Sequence, residues 1–153
     1  MDKTPKTEPL TAREEAWVAE QARRARLFVA EHLPEAASAP LSPEVLDRAY
    51  AAWMAKRPFD VTQVNGVINA VGVAFGAFLA EACGFSWVIA TDQYATGLAL
   101  LALPGTADVL VFPANLVAKR WERRETGFLV PLFDNISRDV ANLARAWSER
   151  TTH

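Results

Sequence analysis

Asp92, Tyr94, Lys119 and Arg120 are the residues of this chain whose types and spacing could support chemistry. A carboxylate beside a phenol at the end of a buried strand can contact a ligand, or act as a base if burial raises its pKa. The two cations sit in a run, Lys119, Arg120, Arg123 and Arg124, that surrounds Trp121. Cations beside an aromatic ring can grip phosphate and stack on a base.

Each of these groups also has a plainer reading. Asp92 is what a strand turn needs, because its carboxylate accepts from the following backbone amides. No histidine lies near it in sequence. Glu122 and Glu125 dilute the basic run, so a solvated helix face with Trp121 in the core is the expectation there. His32 lies near a helix end, where the dipole favours a cation, and His153 is the last residue. Two separated histidines and one cysteine, Cys83, make neither a metal centre nor a catalytic triad. No phosphate-binding loop, dinucleotide fingerprint or serine-hydrolase elbow occurs. We therefore expect no catalytic residues, no metal and no cofactor. Asp92, Tyr94, Lys119 and Arg120 remain as candidate ligand or partner contacts.

The elements that must position them follow from local signals. Thr11 with Glu14 forms a capping box opening a helix to about Leu33. Residues 1–10 are polar and read as a flexible arm, and 11–150 as one domain. Ser42 followed by Pro43 starts a second helix, which Pro58 ends. Asp60 with Gln63 opens a third, running to Cys83 and stopped by Gly84. Its glycines, Gly72 and Gly76, suit close packing, and Asn69 should find a hydrogen-bond partner if buried.

Three short apolar runs follow, about Phe85–Thr91, Gly97–Leu103 and Val109–Phe112. Their connections are too short for parallel crossovers, so they should form an antiparallel meander. Val88 and Ala90 face opposite to Trp87 and Ile89, so both faces of the sheet need cover from helices or a second subunit. A short helix over about Asn115–Arg124 and a last one over about Leu132–Arg150 complete an α+β domain: a three-stranded antiparallel meander packed with about five helices.

Composition narrows the function classes. At 153 residues, 51% apolar and 22% charged, the chain is a folded globular protein rather than a disordered one. A net charge of −2 gives no general pull toward nucleic acid or an anionic membrane. The polar start lacks the apolar core of a secretory signal. The apolar run Val67–Ala82 is broken by Asn69 and Glu81 and is short for a membrane span, so we read it as a core helix. These readings place the protein in the cytoplasm, off membranes and nucleic acids.

At GVAFGAFLAEACGFSWVIATD, LAL and LVFPANLVAKR, about residues 66–121, the chain resembles a bacterial family known only as a domain of unknown function, number 3806. The matching features are Gly72 and Gly76, Trp87 and Asp92, Leu98–Leu100, then Phe112, Pro113, Lys119 and Arg120. The resemblance implies a bacterial α+β domain and brings no activity with it. The reading is thus an accessory or protein-interaction domain without catalytic activity, possible as a homodimer. The alternative is a small-molecule-binding domain or weak enzyme, with its site between the meander and the basic helix.

Overall fold

A computed structural model of the chain describes residues 5–58, 60–93 and 96–151. In chain order it places β1 (Lys6–Pro9), α1 (Ala12–His32), a 3-10 turn (Pro34–Ala36), α2 (Pro43–Met54) and α3 (Val61–Cys83). Then come β2 (Ser86–Thr91), β3 (Thr96–Ala102), β4 (Val109–Val111), α4 (Pro113–Glu122) and α5 (Leu129–Thr151). The class is α+β with five α-helices, as expected, but the antiparallel sheet has four strands, not three.

The additional strand comes from the segment read as an arm. Lys6–Pro9 pairs with β2, with Lys6 opposite Thr91 and Pro9 opposite Val88. All four of its residues are exposed, so no alternation of apolar and polar side chains announces it. What holds it is the open edge of β2, whose unpaired backbone groups accept any extended segment. The rest is a meander in the order β1-β2-β3-β4, with Trp87 opposite Leu100 and Leu100 opposite Val111.

Helix starts follow their caps. The hydroxyl of Thr11 accepts from the Glu14 amide, and the Glu14 carboxylate accepts from the Thr11 amide, closing the capping box. Ser42 and Asp60 cap α2 and α3 through the amides of Val45 and Gln63. Gly84 ends α3 in the left-handed conformation, φ 75°. The linker after α1 is tied down by the Arg26 guanidinium, which donates to the carbonyls of Ala37 and Ala39.

α3 has the length and apolarity of a membrane span, yet 56% of its most apolar window is inside the protein. It is the centre of the core, flanked by α1, α4 and the sheet. Its glycines make this possible. A Cβ on Gly72 would stand 2.9 Å from the Cα of Ala114, and one on Gly76 would stand 2.6 Å from the Trp87 ring. The sheet face carrying Trp87 and Leu100 joins this core. On the opposite face Val88, Ala90 and Ala99 form a separate cluster with Leu101, Leu110 and Phe112, and among the described residues none of its members lies inside a helix.

α5 begins one turn earlier than its sequence pattern predicts. The Asp47 carboxylate of α2 accepts from the amides of Leu129 at 2.8 Å and Val130 at 2.9 Å, capping α5 from elsewhere in the chain. Tyr50 meets Phe128 edge-on at 5.3 Å, and Phe78 meets Phe133 at 5.3 Å, which holds the first half of α5 against α2 and α3.

Candidate functional site

β2 ends at Thr91, β3 starts at Thr96, and the two threonine hydroxyls meet at 3.1 Å. Asp92, just past β2, lies at the edge of a cleft of about 510 Å³. α3 contributes Asn69 and Val73, the start of α4 contributes Pro113, Ala114 and Asn115, and α1 contributes Trp17, which is 41% exposed. The first turn of α4 is bare of a side-chain cap, because its N-cap residue is Phe112. The positive end of the helix dipole there favours a negative group at this end of the cleft.

The cleft therefore offers a carboxylate, two carboxamides, a hydroxyl and an indole. Carboxamides both donate and accept, so this set can hydrogen-bond a polar ligand in a fixed orientation. Among the described residues, no histidine, lysine or second acid lines it.

The sequence-derived candidates fall in different places. Asp92 lines this cleft, and Tyr94 lies outside the described residues, as does His153. Lys119 and Arg120 occupy the last turn of α4, more than one helical turn beyond Asn115. Arg120 donates to the Leu116 carbonyl at 3.5 Å and lines another cavity beside Phe128 and Asn135. Asp92 and Arg120 are not brought together. Asn69 was visible in the sequence as a polar residue in an apolar helix. Asn115 and Trp17 carried no such mark, since only the packing of α1 and α4 on α3 brings them to Asp92.

Other titratable groups serve the fold. Burial pushes the Asp47 carboxyl above the usual carboxylate range, and its two backbone donors oppose that shift. His32 is not the dipole-stabilised cation expected from its position. Burial and the Lys56 ammonium, whose Nζ lies 3.1 Å from Nδ1, hold its pKa below the ordinary value. Trp121 is half-buried, with the Arg124 guanidinium 4.1 Å above its ring. Cys83 is half-buried at the end of α3. Among the described residues, no three metal-ligating side chains gather.

Comparison with known proteins adds a fold relative and a family. A protein from Bacteroides thetaiotaomicron, known from a crystal structure, superposes over 88% of this chain with a TM-score of 0.66 and 12% identity. At that identity the likeness concerns the fold alone, and the chain spans only 48% of that protein's length. No curated protein matches the chain. The family model of a domain of unknown function, DUF3806, matches residues 46–133, which take in α3, three strands, α4 and the start of α5. With more than half of its length covered by that model, the chain belongs to the DUF3806 family.

Proposed function

We propose that this protein is a non-catalytic interaction domain that pairs with a second copy of itself through the C-terminal half of α5. The observation that carries the proposal is the fate of that helix's apolar stripe. Leu129 and Val140 are buried, and Leu132, Phe133 and Ile136 pack against the core. About one and two turns further, Leu143 is 42% exposed and Trp147 is 40% exposed. A helix that keeps its apolar spacing beyond the core is built to meet another surface.

A second copy suits the charges. In an antiparallel pairing centred near Leu143, Asp139 of one helix comes within about one turn of Arg150 of the other, both on the side of α5 that carries Leu143. The same patch then faces itself, as two-fold symmetry requires. Sedimentation velocity at tens of micromolar should show a dimer, and a Leu143→Ser, Trp147→Ala double variant should sediment as a folded monomer. A wild-type chain that stays monomeric at every concentration rejects the reading.

A second reading rests on the Asp92 cleft: a small-molecule-binding domain taking a polar, uncharged or cationic ligand between β3 and the start of α4. Its support is the meeting of Asp92, Asn69 and Asn115 on one cavity. In a thermal-shift screen of polar metabolites, a stabilising compound should lose its effect with Asn115→Ala. Retention of the effect in that variant removes the cleft from consideration.

A further inference from the structure

Two helices in this fold end on an arginine where glycine is the usual residue. α4 closes with a Schellman motif: the Arg124 amide donates to the Trp121 carbonyl and the Glu125 amide to the Arg120 carbonyl. Arg124 occupies the left-handed position of that motif, with φ 58°. After α2 the chain tightens into i→i+3 bonds, and Arg57 takes the left-handed position with φ 52°. Among the described residues only four non-glycines have positive φ, and the other two, Leu103 and Asp108, shape the β3–β4 turn. Left-handed backbone is strained for any residue with a Cβ, and such strain collects where function requires a particular side chain.

Both arginines line the same cavity, of about 620 Å³, between the ends of α2 and α4. Its described walls are otherwise Ala51, Met54, Ala55, Pro58 and Thr126, with no acidic residue among them. Neither guanidinium forms an ion pair among the described residues. The surroundings are also rich in donors without acceptors. The Tyr50 hydroxyl and the Trp121 indole N–H are buried with no hydrogen-bond partner among the described residues. Arg124 stacks on Trp121, and Tyr50 adjoins the wall residue Ala51 in α2.

We propose that this cavity binds a small organic phosphate, its anionic group held between the guanidiniums of Arg57 and Arg124 and its apolar body lying on Met54 and Pro58. Guanidinium forks match phosphate oxygens in pairs, and two of them balance a dianion. The volume is that of an ordinary ligand pocket. Cations near helix C-termini also answer the helix dipole, but Lys56 and Arg123 already stand at these two ends without left-handed backbone. The inference is independent of self-association through α5.

The test is titration of the full chain with phenyl phosphate, followed by calorimetry and by the indole N–H signal of Trp121. Saturable binding is expected, weakened about tenfold or more by Arg57→Gln and by Arg124→Gln. Arg48→Gln, on the exposed side of α2 and outside the cavity, should leave it unchanged. Inorganic phosphate should bind more weakly, for want of an apolar body, and benzoate more weakly for want of the second charge. Arg57→Gly should abolish binding and yet raise the melting temperature by about 2–4 °C, because it relieves the backbone. Absence of saturation, affinity unchanged in both glutamine variants, or benzoate binding as tightly as phenyl phosphate would overturn the assignment. So would a fall in melting temperature with Arg57→Gly, which would make the arginine a part of the fold.

Discussion

The seam between α3 and α4 and the junction between α2 and α5 are built on opposite principles. At the seam, Gly72 lies against the backbone of Ala114, and Gly76 lies against the side chains of Pro113 and, from β2, Trp87. Among the described residues no hydrogen bond or ion pair joins the two helices there, and contact depends on atoms that are absent. At the junction, contact depends on atoms that are present, with Asp47 accepting two amides of α5 and Tyr50 packing on Phe128. One interface fails when something is added, the other when something is removed. The contrast explains why α3, with so little side-chain chemistry, can sit at the centre of the fold.

Four substitutions sharpen or break that contrast. The largest effect belongs to the junction. Asp47→Ala strands one buried and one part-buried amide at the start of α5 and should lower stability by about 2–4 kcal/mol in urea denaturation. A loss below about 1 kcal/mol would mean that packing alone positions α5.

The seam predicts a change of sign within one helix. Gly72→Ala meets the Ala114 backbone and should destabilise by about 1–2 kcal/mol, even after the gain in helix propensity. Gly66→Ala, with nothing within 4 Å of its added carbon, should stabilise by about 0.5–1 kcal/mol. If both substitutions stabilise, the close approach of α3 to α4 is wrong.

The smallest effect at neutral pH comes from Tyr50. Its phenol is fully buried, and burial pushes its pKa up to about 12, with Arg124 pulling the other way. A group with a raised folded-state pKa contributes stability that is complete below its unfolded value and lost as pH rises through the folded one. The chain should therefore lose about 2–3 kcal/mol between roughly pH 10 and pH 12. Tyr50→Phe should remove that alkaline loss and change little at pH 7, since the hydroxyl has no partner among the described residues. An alkaline slope unchanged in Tyr50→Phe would assign the effect to other groups.

Much of the architecture was readable from short-range chemistry. Thr11, Ser42 and Asp60 act within three residues of themselves, and Gly84 stops α3 through its own backbone freedom. The strands of the meander were marked by apolar runs and brief turns. β1 was not, because a polar edge strand leaves no periodic trace. The start of α5 was misplaced because its cap comes from α2. The candidate site was less readable still. Asp92 stood out as a carboxylate after a buried strand, but its companions Asn69 and Asn115 come from separate helices, and Arg120 points to a different cavity.

Sequence alone determined the class of the domain, the limits of most helices and the small-residue face of α3, because each depends on atoms a few bonds apart. The tertiary structure alone decided the fourth strand, the anchoring of α5 by Asp47, and the pairing of Arg57 with Arg124 across one cavity. These depend on which distant segments come to rest side by side. That choice is made by the whole core at once, and no local pattern of residues encodes it.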